Sequence, residues 1–257
     1  MESRLQLDIL AQPDNVTCGP TCLHAVYRFF RDQLPLEQVI QETPQLIEGG
    51  TLAVLLGCHA LRRGYDVTIL TCNLQIFDPT WFQPPFPKLS DRLRAQMAFK
   101  QSPKLRVASE AYLELLELGG RIRMEDFTSR LIRRYLKREV PILTGLSATY
   151  LYRNAREFGP GCDPDDIRGE PVGHFVVLCG YNSEDQSILV ADPFRANPLG
   201  PGHKYNVPVD HVLRSIMIGI LTYDANLLII QPRKTKRGVF AEHHFKQEGV
   251  GGGPDRR

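Results

Sequence analysis

The sequence predicts an α+β domain on three observations: helical periodicity starts at Cys18, strand-like apolar runs crowd residues 140 to 192, and two of those runs are separated by only a short turn. These two, "HFVVLCGY" and "SILVADP", flank "NSEDQ" and read as an antiparallel hairpin. At 257 residues with 42% apolar content, the chain can bury a core. A net charge of +2 excludes, on totals, both an acidic solvating chain and a strongly basic nucleic-acid binder.

The elements follow in order. "LQLDIL" alternates apolar and polar residues as a short strand does and stops at the turn-prone "QPDN". From Cys18, the residues Leu23, Val26, Tyr27 and Phe30 recur at helical spacing, with Pro20 in the first turn, where its missing N–H costs nothing. "TLAVLLGCHALRRG" reads as a helix closed by Gly64, and "YDVTILTC" as a buried strand. Residues 77 to 125 change character: the proline-rich, aromatic "FDPTWFQPPFPKLS" leads into two helix-like runs, which predicts an inserted helical subdomain or cap. Then come a helix in "DFTSRLIRRYLKR", a strand in "VPILTGLS", a polar loop over 154–171, the hairpin, a helix in "VPVDHVLRSI" and a strand in "NLLIIQP". The domain so read spans 1–232, and 233–257 has the composition of a mobile tail.

The acidic Glu2 and Asp8 are not the start of a secretory signal. The longest apolar runs fall well short of the roughly 20 residues a bilayer requires. A cytoplasmic protein without a membrane span is therefore expected, with its six cysteines reduced rather than bridged.

A thiol in the first turn of a helix lies near the positive end of the macrodipole, which favours the thiolate and makes Cys18 a candidate nucleophile. The alternative is a small buried residue that begins a helix. His174 opens a very apolar strand directly after a glycine, as a base or as a satisfied strand-edge histidine. If the hairpin centres on Ser183, antiparallel partners sum to 366 and His174 faces Asp192 directly, so that the carboxylate could orient the imidazole. Asp192 also reads simply as an Asp-Pro turn. Gln12, six residues before Cys18, could fold its amide back to serve an oxyanion with the Cys18 N–H, or could decorate the surface.

Together, "QPDNVTCGPTCL", "GHFVVLCGY" and "VADPF" resemble, in order and spacing, the papain-like cysteine peptidases, and specifically the bacterial bacteriocin-processing double-glycine peptidase family. The resemblance covers about residues 5–72 and 126–230. It implies a papain-like fold in which an N-terminal helix carrying the cysteine packs on an antiparallel sheet carrying the histidine and aspartate. It further implies Cys18 as nucleophile, His174 as base, Asp192 as orienter, Gln12 as oxyanion donor, and cleavage of a peptide bond, for example in a leader or precursor peptide, through a thioacyl intermediate. The chain departs from the family in Thr17, where an acidic residue is common, in the extra 77–125 segment, and in lacking transporter domains after the peptidase.

The same four residues would equally serve a deamidase, transamidase or acyltransferase, or remain in a peptide-binding module without turnover. No cofactor or metal is expected: Cys18, Cys22 and His24 lack a second ligand cluster, and helical geometry sends residues 22 and 24 to different faces. Cys58, His59 and Cys179 read as core residues and Cys162 as an exposed thiol. In "YLELLELGG", Glu117 and Glu114 stand where a cleavable double-glycine leader needs apolar residues, so Gly119 and Gly120 read as a helix C-cap. The arginines of "RLIRRYLKR" read as the solvated face of an amphipathic helix, and "RKTKR" lacks the interleaved aromatics of a nucleic-acid site, so a peptide or protein substrate is the expected partner.

Overall fold

The structure, a computed structural model, describes residues 3–47, 49–222 and 224–233. The expected tail beyond Arg233, most of "RKTKR" and glycines 251–253 lie outside the described residues. The helices are α1 (Cys18–Phe29), α2 (Leu36–Glu42), α3 (Ala53–Arg62), α4 (Leu89–Phe99), α5 (Pro103–Glu117), α6 (Ser129–Leu136), α7 (Ala148–Tyr152) and α8 (Val209–Ile218). The strands are β1 (Ser3–Arg4), β2 (Tyr65–Thr71), β3 (Arg121–Met124), β4 (Ile142–Ser147), β5 (Glu157–Phe158), β6 (Asp163–Pro164), β7 (Gly173–Asn182), β8 (Ser187–Ala191), β9 (Lys204–Pro208) and β10 (Asn226–Pro232).

One sheet in the order β3-β2-β10-β4-β7-β8-β9, with β1 on β7, organises this α+β fold; every pairing is antiparallel except β2 with β3. Because both faces are covered, β4 and β7 are buried almost throughout, which explains their unbroken apolar sequences. α1 packs on β7 and α3, as the predicted pairing of a cysteine helix with a histidine strand requires.

Three expectations need correction. Of the N-terminal segment, only Ser3–Arg4 forms a strand. Leu5, Leu7 and Ile9 do alternate inward, but the last ladder bond, Leu5 N to Cys179 O at 2.8 Å, is reached where β4 takes over that edge of β7 from Leu178 onward. The 77–125 segment is not wholly helical, because its end, β3, adds a parallel strand to β2. α5 rests on α3 and closes at Gly119, whose φ of +89° suits glycine; Gly120 N returns to Leu115 O at 2.8 Å and closes the C-cap. α2 has no counterpart among the predicted elements.

The third correction concerns the hairpin. Near its turn the partners sum to 369, as in Asn182 with Ser187; past a bulge at Cys179 they sum to 368, as in Val177 with Ala191. The assumed sum of 366 is therefore off by two at the site. An even offset preserves the face, so Asp192 lies diagonal to His174 instead of opposite it and still on the same side. Without the bulge the offset would be odd, and Asp192 would face away.

Candidate active site

α1 begins at Cys18 without a side-chain cap: Thr17 makes no capping bond to the helix, its carbonyl receiving Thr21 N at 3.1 Å. Pro20 has no N–H to offer, so the amides of Cys18 and Gly19 are the ones presented at the helix start. Glycine at position 19 is a matter of space, since a Cβ there would lie 2.6 Å from Thr51 Cγ2 and 3.2 Å from the Phe175 ring. The close approach sets the cysteine end of α1 onto the histidine strand, and Cys22, one turn on, donates its thiol to Phe175 O at 3.2 Å.

The first residues of β7 bring His174 against the Cys18 thiol, within side-chain hydrogen-bonding reach. On its other side, Nε2 meets Asp192 Oδ1 at 2.8 Å, leaving Nδ1 for the sulfur. Cys18 is 8% exposed, His174 9% and Asp192 fully buried, so burial deepens from the thiol to the carboxylate. Burial opposes the charge on His174, but the bonds to Asp192 and Cys18 prevail and raise it from 6.5 to about 10. Burial likewise opposes ionisation of Asp192, while His174, Tyr152 and Tyr205 hold it below the usual carboxylate range. These contacts favour the charged imidazole beside an ionised carboxylate.

Asp192 is fully satisfied. Oδ1 also accepts Phe194 N at 2.8 Å; Oδ2 accepts the Tyr152 hydroxyl at 2.6 Å and the Tyr205 hydroxyl. Its backbone is fixed by His203, through Asp192 N to His203 O at 2.8 Å and His203 Nδ1 to Asp192 O at 2.8 Å. Phe194 stands edge-on to the imidazole, with centroids 6.3 Å apart. None of these supporting residues was singled out from the sequence. Alternation in "HKYNVP" was the available signal for β9 and Tyr205, whereas nothing local marks Tyr152.

Gln12 is brought to the site by its backbone, whose N–H bonds Pro193 O at 3.0 Å directly after Asp192. Its Nε2 donates to Asp14 O at 2.7 Å, inside a turn closed by Val16 N on Asp14 Oδ1 at 2.9 Å, and Oε1 is buried without a partner. A carboxamide carries two N–H groups, so one remains after the Asp14 bond.

A second histidine-carboxylate pair shows what the first has in addition. His59 Nε2 meets Glu42 Oε2 at 3.0 Å, but its Nδ1 is taken by the Tyr27 hydroxyl at 2.8 Å. The adjacent Cys58 points its thiol at Ala111 O, so that cluster ties α1, α2 and α3 together with no nucleophile. All six cysteines are free thiols; Cys58 and Cys179 are buried and Cys162 is exposed. Among the described residues no group of three or more His, Cys, Asp or Glu side chains is placed to hold a metal, and no helix is long and apolar enough to cross a membrane.

No family model and no curated protein matches the chain. Among the solved structures similar to it are the following two. One is a double-glycine-motif protease from an AMS/PCAT transporter in complex with the leader peptide, at 13% identity over 90% of this chain and 95% of that one, with a TM-score of 0.42. The other is xylellain, a cysteine protease from Xylella fastidiosa, at 15% identity over 91% of this chain and 86% of that one, with a TM-score of 0.43. Overlaps this loose leave the chemistry to the geometry described above.

Proposed function

We propose that the chain is a cysteine peptidase of papain-like type that cleaves a peptide bond, with a leader or precursor peptide as the substrate class. The observation that carries this reading is His174 held between the Cys18 thiol and the buried Asp192 carboxylate, 2.8 Å from the latter. In this mechanism the Cys18 proton sits on His174, and the Cys18 thiolate so formed attacks the carbonyl carbon while the C=O electron pair moves to oxygen. The Cys18 N–H and the second N–H of Gln12 stabilise that oxyanion. His174, protonated at rest, gives its proton to the leaving nitrogen as the C–N bond breaks and a thioester remains. It then takes a proton from water, the hydroxide displaces the sulfur, and the acid product leaves with the starting pair restored. Asp192 keeps the imidazole oriented and stabilises its charge throughout.

The test is iodoacetamide labelling with sites mapped by mass spectrometry, alongside incubation with a mixed peptide pool. Cys18 is expected to label faster than Cys162, to slow at least tenfold in His174→Ala, and to be required for release of new peptide termini. A Cys18 no more reactive than Cys162, or cleavage that persists in Cys18→Ala, sinks the reading.

A further inference from the structure

Beside the His174 end of β7 lies a cavity of about 370 Å³ between α7 and α8, which includes Tyr150, Arg153, Arg156, His211, Arg214 and Ile218 in its lining. Three guanidinium groups line it and no carboxylate does. Arg214 has a loose, exposed partner in Asp210 at 3.7 Å. Arg156 donates to the main-chain carbonyls of Asp166 and Ile167, and the nearby Asp165 carboxylate is engaged by Arg168 and by the amides of Ile167 and Arg168. Arg153 has no acidic partner among the described residues. It also occupies a left-handed backbone (φ 58°, ψ 37°) at the end of α7, where glycine or asparagine avoids a cost of about 1–2 kcal/mol. Arg153 is thus a left-handed arginine in a cation-lined cavity, with no ion pair among the described residues.

The floor of the cavity is ordered. Tyr150 stacks on His211 with centroids 5.0 Å apart, and His211 Nε2 bonds Leu151 O at 3.0 Å. The cavity is also coupled to the site. α7 contributes Tyr150 here and, two residues on, Tyr152 to Asp192, while Thr149 Oγ1 accepts Val172 N at 2.9 Å. Ser147, in the cavity wall, pairs with Gly173. A strand spacing of about 5 Å plus one Cα step of about 3.8 Å puts that wall within about 9 Å of the His174 backbone. This is about three residues of an extended peptide.

We propose that this cavity is a subsite for an acidic side chain of the peptide substrate, a carboxylate held by Arg153 and Arg214 over the Tyr150 ring. The inference rests on the peptidase reading for the word substrate, and on the cavity alone for the anion. Guanidinium forks match carboxylates in pairs of hydrogen bonds, and the aromatic and aliphatic floor suits the methylenes of glutamate.

The experiment digests a degenerate pool of acetylated 14-residue peptides and reads the cleaved sequences by mass spectrometry. Wild type should enrich Asp and Glu at one fixed position at least tenfold over Gln. In Arg153→Asn/Arg214→Gln, in which asparagine tolerates the left-handed backbone, that enrichment should fall to about one. Cleavage without acidic enrichment, or enrichment that survives the double variant, overturns the subsite and leaves the peptidase standing. If wild type cuts nothing, the peptidase reading falls instead and the anion site is judged by itself. Cys18→Ala protein is then titrated with acetyl-glutamate, acetyl-glutamine and inorganic phosphate while the arginine Nε–H resonances are followed by NMR. A shift of Arg153 with acetyl-glutamate alone supports a carboxylate site; no shift, or a larger response to phosphate, overturns it.

Discussion

The two tyrosines on Asp192 allow a quantitative test of the site. Tyr205→Phe removes one hydroxyl bond to a fully buried carboxylate oxygen and leaves that oxygen with the Tyr152 bond at 2.6 Å. A hydrogen bond to a charged group contributes about 1.5–3 kcal/mol, so each single Tyr→Phe variant should lose about 2 kcal/mol. At about 2–4 °C per kcal/mol for a chain of this size, the midpoint of thermal unfolding should fall by about 4–8 °C. The double variant strips Oδ2 of every partner and exposes the whole desolvation penalty of a buried charge, so its loss should exceed the sum of the singles by at least about 1 kcal/mol. The pH dependence has a fixed sign. Asp192 titrates below its unfolded value, so its contribution is present above about pH 4 and disappears as pH falls through the folded pKa. Losing the tyrosines lets burial push that pKa upward, and acid destabilisation should begin at higher pH. Urea unfolding of the four proteins of this cycle between pH 3 and 8 reads both effects. Strict additivity, or a double variant within 1 kcal/mol of wild type, would refute the account of Asp192 as a carboxylate stabilised by these hydroxyls.

Other outcomes follow from single contacts. His174 titrates at about 10, above its unfolded 6.5, so the stability it contributes is complete below about pH 6.5 and drains away as pH rises through 10; His174→Gln should flatten that limb in unfolding curves. Asp224 is the opposite case: burial raises its carboxyl to about 7, against the bond from Ala53 N at 3.1 Å, a bond from the Asn226 side chain and the charge of Lys104. Its ionisation therefore costs stability as pH climbs from about 4 through 7. Asp224→Asn, which can still accept from Ala53, should gain on wild type over that window when unfolding is compared at pH 5 and pH 8. Gly19→Ala should cost about 1–3 kcal/mol through its clash with Thr51 and slow Cys18 labelling, since the helix must back away from β7.

What the sequence made legible was whatever depends on local period and order. The α1 start at Cys18, the Gly64 and Gly119 helix ends and the β7–β8 hairpin are all short-range events, written in turn residues and apolar spacing. His174 and Asp192 were legible as partners because they share a hairpin, even though the assumed register was wrong by two. Tyr152 was hidden because its bond to Asp192 spans 40 residues and its own helix is five residues long, too short to show a period. β3 was hidden for a similar reason: four residues after a double glycine become a strand only because β2, far back in the chain, offers an edge. The Gln12 amide is the intermediate case, near Cys18 in sequence but positioned by Pro193 and Asp14.

The bulge at Cys179 makes the pair behave as a parity check on the chain between residues 174 and 192. Side chains alternate faces, so what brings imidazole and carboxylate together is whether the shift between the two strands is odd or even, rather than how long the hairpin is. Residues can be added in the 183–186 loop without touching this count, because the ladder beyond it is unchanged. One residue gained or lost within β7 or β8 reverses it and turns Asp192 to the far side unless a second such change restores it. Length variants should therefore sort into silent loop changes and disabling single-residue strand changes, with the bulge itself in the second group.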